Sequence, residues 1–157
     1  MGLRDRFGSS KLDILIIRLK RPKSAVALAN AIILGAIHAK VSLAERVSDD
    51  MPASAALMKK GYASFLVTLD VKSFPLSPTI TESRAYLNKG ELGNPARPTD
   101  KRRYLEEQGR FDAAFSYNFR TIPSGRHKAK SKIFVCKLDG KPDDLYRAIL
   151  SAGKRRP

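Results

Sequence analysis

Residues 24–47 read SAVALANAIILGAIHAKVSLAERV, and the reading of this run sets the fold. Val26, Ala29, Ile33, Ala36, Ile37 and Val41 recur at helical spacing, and Leu28, Ile32 and Leu43 widen the stripe. The spacing predicts a helix from Ala25 to about Val47, with Ser24 as its N-cap and Pro22 ending whatever precedes it. Gly35 interrupts the run at a propensity cost of about 1 kcal/mol, which leaves room for two helices meeting near Lys40 and Ser42. His38, beside Ile37 and Val41, reads as a partly buried, hydrogen-bonded side chain.

Upstream, Leu12–Leu19 is rich in Ile and Leu and fits a strand. Downstream, Asp50 is a cap for a helix over 51–60, Pro52 suits its first turn, and Gly61 ends it. Residues 62–74 alternate apolar and polar and read as a half-buried strand. Thr79 and Glu82 have capping-box spacing for a short helix ending at Gly90. Residues 91–99, with Gly93, Pro95 and Pro98, read as an internal linker, and 101–108 as a helix capped by Thr99 or Asp100. Phe111, Ala113, Phe115, Tyr117 and Phe119 share one parity and are expected to face inward. With a second strand over 131–138 they predict a β-hairpin with a long basic tip. A last helix starts at Asp143 or Asp144 and stops at Gly153.

The expected fold class is therefore α+β, a mainly antiparallel sheet of about four strands packed against helices, with a protruding basic β-hairpin. Residues 1–10 read as a flexible lead, 11–152 as one domain, and 153–157 as a basic tail. The apolar density of 25–39 is also compatible with a homo-oligomer that shares its sheet.

The chain has 157 residues and a formal net charge of +15, with 43% hydrophobic residues, enough for a real core. The positive charge is regional. Residues 1–23 hold seven basic against two acidic groups and 110–142 hold eight against two, whereas 24–83 are neutral. Such a surface attracts polyanions in a steeply salt-dependent way. Cys136 is the only cysteine, which excludes an intrachain disulfide framework and multi-cysteine metal clusters. No secretory pattern opens the chain, and 25–39 is too short to span a bilayer, so a cytoplasmic or nucleic-acid-associated protein is expected.

The densest basic stretch gives the candidate phosphate contacts Arg120, Arg126, His127, Lys128, Lys130 and Lys132. In an extended strand Lys128, Lys130 and Lys132 project from one face at a spacing close to that of successive phosphates. Arg18, Lys20 and Arg21 after the first strand, and Lys101, Arg102 and Arg103 at a helix start, extend the set. The 101–103 run stands at the wrong end of its helix for the dipole, so local propensity does not account for it. Lysine and arginine at this spacing hold a backbone and do not read bases.

No carboxylate–histidine cluster has metal spacing, and Asp49–Asp50 and Asp143–Asp144 read as helix caps. The expected function is a nucleic-acid-binding protein, more a binder than an enzyme, with DNA or RNA as partner and without catalytic residue, metal or cofactor. The alternatives are an oligomeric, coat-like assembly protein and a small metal-independent ribonuclease using His127 as base.

Overall fold

The computed structural model describes residues 13–19, 31–43, 47–71, 90–125, 129–137 and 139–154. In it Ile32–Lys40 is a strand, β2, where the apolar spacing predicts a helix. The reason is burial on both faces. A strand inside a sheet that is covered above and below reads as an unbroken apolar run, without alternation, and Ile33, Leu34, Ala36 and Ile37 are all buried. Gly35 belongs to this pairing: a Cβ there would lie 2.2 Å from the Ala63 carbonyl oxygen of the adjacent strand. Residues 20–30, with the expected Ser24 cap, and 44–46 lie outside the described residues.

The elements follow as β1 (Ile14–Arg18), β2, α1 (Val47–Lys59), β3 (Ala63–Thr68), β4 (Gly93–Asn94), β5 (Arg97–Pro98), α2 (Asp100–Glu106), β6 (Ala113–Ser116), β7 (Lys132–Val135) and α3 (Asp144–Ala152). One five-stranded sheet has the order β1-β2-β3-β6-β7, and β4 and β5 form a separate two-stranded ribbon. β1 is antiparallel to β2, whereas β2, β3, β6 and β7 run parallel. The α+β class stands. The mainly antiparallel four-stranded sheet is corrected to a mixed, mostly parallel one of five strands.

The basic hairpin is also corrected. β6 and β7 pair in parallel, with Ala113 opposite Lys132 and Ser116 opposite Val135, so the chain between them returns from one end of the sheet to the other. Alternation identifies a strand but not its direction, and a linker of this length suffices for a crossover. Arg120 therefore follows the C-terminal end of β6, while Lys130 and Lys132 sit at the N-terminal end of β7. They do not form one ridge.

The faces of the sheet carry two cores. Phe65 and Phe115 pack with Ala152 and with Leu145, Ala148 and Ile149 of α3. Leu66, Ala114 and Ile133 pack on the other face with Leu43, Val47, Leu105 and Phe111, which brings in α1 and α2. Residues 91–99, expected to be a linker, carry β4 and β5 and bury Leu92 in this second core. β6 ends at Ser116, so the expected inward face breaks down beyond it: Phe119 is 71% exposed, and Tyr117 is half-buried with its hydroxyl donating to Asp143 at 2.9 Å. The helix expected between Glu82 and Lys89 lies outside the described residues.

Candidate active site

Because β1 is antiparallel to β2, its N-terminal end lies beside the C-terminal end of β2. Asp13, just ahead of β1, thus meets Ala39 and Lys40. The Ala39 N–H donates to Asp13 Oδ2 at 2.8 Å and the Lys40 ammonium donates to the same oxygen at 2.7 Å. The third member comes from α1, whose buried stripe is Val47, Asp50, Ser54 and Leu57. Asp50 is thus a buried carboxylate in a first helical turn, where the helix dipole favours negative charge. It is not a solvent-facing cap. Its Oδ2 forms an ion pair with Lys40 Nζ at 3.1 Å. One ammonium therefore joins two carboxylates drawn from three elements.

The electrostatics match this geometry. Burial alone would raise the Asp13 carboxyl, but its hydrogen bonds from Lys40 and Ala39 hold it below its ordinary value. Burial would likewise lower Lys40, and Asp13 and Asp50 together hold it above. His38, two residues before Lys40 and on the same face of β2, is fully buried, with its Nδ1 3.9 Å from Asp50 Oδ2. Neither ring nitrogen has a hydrogen-bond partner, contrary to the hydrogen-bonded residue expected. Burial pushes its pKa down, against the raising pull of Asp50 and Asp13.

Two further carboxylates brace the same end of the sheet. Glu91, buried beside the ribbon, accepts from the Ser42 hydroxyl at 2.6 Å and the Leu43 N–H at 3.0 Å, and pairs with Lys101. It thereby ties the chain leaving Lys40 to α2. Asp70, just past β3, has φ 47°, a left-handed backbone that is uncommon outside glycine. Its carboxylate accepts from the Leu92 N–H at 3.0 Å and the Thr121 hydroxyl at 2.6 Å, and its carbonyl accepts from Asn118 at 2.9 Å. A Cβ on Gly90 would collide with Asp70 Oδ2 at 1.9 Å.

Burial raises the Asp70 pKa despite these bonds. The folded state then holds the Asp70 proton more tightly than the unfolded chain does. The contribution of Asp70 to stability is highest below its ordinary value near 3.8, and it falls as pH rises through the folded pKa. Asp70→Asn, which tolerates the left-handed backbone, is expected to flatten that pH dependence and to leave stability at neutral pH within about 1 kcal/mol. Asp70→Ala is expected to lose about 2–4 kcal/mol through strain and orphaned donors. Urea denaturation between pH 4 and pH 8 measures both.

The expected basic contacts are dispersed. Arg102 is completely buried. Its five N–H groups go to Glu106 twice, at 2.9 Å each, and to the carbonyls of Gly93, Ile122 and Pro123. No donor remains for a phosphate, and this corrects its assignment. Lys101 is engaged with Glu91, and Arg103 with Asp100 at 2.8 Å. Arg18 donates to the Gly153 carbonyl at 2.8 Å. Arg120, Lys130 and Lys132 are exposed. Lys20, Arg21, Arg126, His127 and Lys128 lie outside the described residues.

Comparisons with known proteins identify the family. A model of the BsaWI restriction endonuclease type 2 family matches residues 1–139. The chain belongs to the BsaWI restriction endonuclease family. Within the curated proteins, type II restriction enzyme AgeI of Thalassovita gelatinovora is 48% identical over 151 residues, covering 92% of this chain and 50% of AgeI. A solved AgeI–DNA complex superposes with a TM-score of 0.76 at 43% identity, covering 96% of this chain and 52% of that one. The chain thus spans about half the length of the relative it matches.

Membership in a family of restriction endonucleases, enzymes that hydrolyse DNA, overturns the expectation of a binder more than an enzyme. Sequence reading did not group Asp13, Lys40 and Asp50; Asp13 and Lys40 stand out there only as charges bordering apolar runs, and Asp50 only as a helix cap. No helix among the described residues is long and apolar enough to cross a membrane.

Proposed function

We propose that this chain carries the hydrolytic site of a DNA endonuclease, with Asp13, Lys40 and Asp50 as its working groups. The observation that carries the reading is the single ammonium of Lys40 held between two carboxylates at 2.7 Å and 3.1 Å, at the exposed end of a sheet. Two carboxylates repel a phosphodiester unless a cation lies between them. Among the described residues no group of three or more His, Cys, Asp or Glu could hold a metal. The donor set nevertheless fits Mg²⁺, which is bound through one or two carboxylates and completes its octahedron with water and substrate phosphate. Asp13 and Asp50 would hold it.

When bound, a divalent cation supplies charge neutralisation at the phosphate and lowers the pKa of a bound water. Lys40 positions a proton donor beside the scissile group and offsets negative charge as it develops. Asp13 holds Lys40 and, through the Ala39 N–H, the backbone that carries it. Exposed Arg120, Lys130 and Lys132 supply long-range attraction to DNA, which makes binding salt-dependent.

The test is cleavage of duplex DNA by the purified chain in Mg²⁺ and in EDTA, with binding followed in Ca²⁺. Cleavage in Mg²⁺ alone, lost in Asp13→Asn, is the expected result. A folded chain that neither cuts duplex DNA nor binds it more tightly with Ca²⁺ would overturn the reading.

A further inference from the structure

His38 is buried without a hydrogen bond at either ring nitrogen, and the neighbouring buried Asp50 Oδ2 has the Lys40 ammonium as its partner at 3.1 Å. The orphaned Nδ1 lies 3.9 Å from that oxygen. Closing to an ordinary N–H···O distance of about 2.9 Å needs a shift of about 1 Å. The ring also meets Phe111 edge-on, with centroids 5.4 Å apart. That packing needs no nitrogen, and an apolar side chain would make it without the desolvation cost of an unpartnered imidazole.

Lys40 now occupies the Asp50 oxygen at 3.1 Å. In the proposed hydrolytic role Lys40 turns toward the phosphate as the cation enters, and Asp50 Oδ2, on a side chain only 6% exposed, loses its ammonium. We propose that His38 is the positioning residue that takes over Asp50, its Nδ1–H donating to Oδ2 as Lys40 moves to substrate.

The inference rests on the endonuclease reading, and its first readout is independent of cleavage. In Lys40→Met, ¹H–¹⁵N spectra of the imidazole are expected to show an Nδ1 proton moved downfield and protected from exchange relative to the wild type. An Nδ1 signal identical in both proteins, or an Nε2–H tautomer in both, would overturn it.

The second readout compares His38→Leu with His38→Asn, whose amide stands near the Nδ1 position. His38→Leu is expected to be at least as stable as the wild type to heat and to cut about 10–100-fold more slowly, chiefly in kcat, with Mg²⁺ affinity by calorimetry falling in parallel. His38→Asn is expected to recover most of that loss. Equal cleavage by wild type and His38→Leu would reject the positioning role while leaving the endonuclease reading intact. A wild type that does not cut would reject the latter and leave the spectra to decide the former.

Discussion

Lys40→Met is expected to lower Mg²⁺-dependent cleavage of duplex DNA by at least about a thousandfold while the chain stays folded and still binds metal. The substitution preserves most of the apolar stem, so β2 keeps its packing between β1 and β3. It removes the ammonium shared by Asp13 and Asp50. Two consequences separate catalysis from simple neutralisation. A lysine that only balances charge competes with the cation, so its loss would strengthen Mg²⁺ binding and leave turnover intact once metal saturates the site. A lysine that serves the reacting phosphate leaves a metal-loaded protein that does not turn over.

Single-turnover cleavage across a Mg²⁺ series, beside calorimetric titration, distinguishes these outcomes. Without metal the variant is expected to lose about 1–3 kcal/mol, since two close carboxylates then face each other with no cation. That loss has a pH signature. The Lys40 pKa is raised on folding, so its stabilisation is present below its ordinary value near 10.5 and fades as pH rises through the folded value. The Asp13 pKa is lowered, so its share is present above 3.8 and fades as pH falls through the folded value. Between those limits the stability difference between wild type and variant is expected to be level, and to shrink beyond them.

How much of this was legible in the sequence depends on whether the signal was local. The Thr99 cap of α2, accepting from the Arg102 N–H, follows from nearest-neighbour chemistry, as do the Asp143 cap of α3 and the helix-ending Gly153. So does β1, which spans Ile14–Arg18 within the expected Leu12–Leu19, Leu12 lying outside the described residues. β2 was hidden because burial on both faces removes the period of two. Its alanines then imitate a helix, and Gly35 looks like an interruption when it is a contact point with Ala63. The site went with it: Asp13 and Lys40 meet only if residues 32–40 are extended beside β1, and Asp50 joins them only if α1 packs on that strand. The direction of β7 was equally out of reach, since pairing is tertiary and the local pattern is the same for parallel and antiparallel partners. The dipole alone leaves the basic triplet 101–103 unexplained; its explanation is partly local, Arg102 pairing with Glu106 and Arg103 with Asp100 inside α2, and partly tertiary, Lys101 pairing with Glu91 and Arg102 reaching the carbonyls of Gly93, Ile122 and Pro123.

Arg102→Met is therefore expected to act on stability, at about 3–5 kcal/mol, and not directly on DNA affinity. The guanidinium links α2 to three backbone carbonyls in two separate segments, Gly93 in the ribbon and Ile122 and Pro123 before β7. Its removal leaves those oxygens without a donor and leaves Glu106, 9% exposed at its side chain, without its cation. Glu106 also accepts from the Ser124 hydroxyl at 2.5 Å, and Ser124 Oγ in turn accepts from the Ile133 N–H at 2.8 Å, so the loss is expected to reach β7. Arg103→Ala, which breaks only an exposed pair with Asp100, is expected to stay within about 0.5 kcal/mol and serves as the control. Adding Glu106→Gln to Arg102→Met removes the stranded charge and is expected to recover part of the loss, a non-additivity that marks the pair as coupled. Urea denaturation of the wild type, Arg102→Met, Glu106→Gln, the double variant and the Arg103→Ala control decides the matter. Were Arg102→Met to unfold like the wild type while weakening DNA binding with a shallower salt slope, the guanidinium would have to turn outward in solution, and the buried network would not be what holds α2 to the sheet.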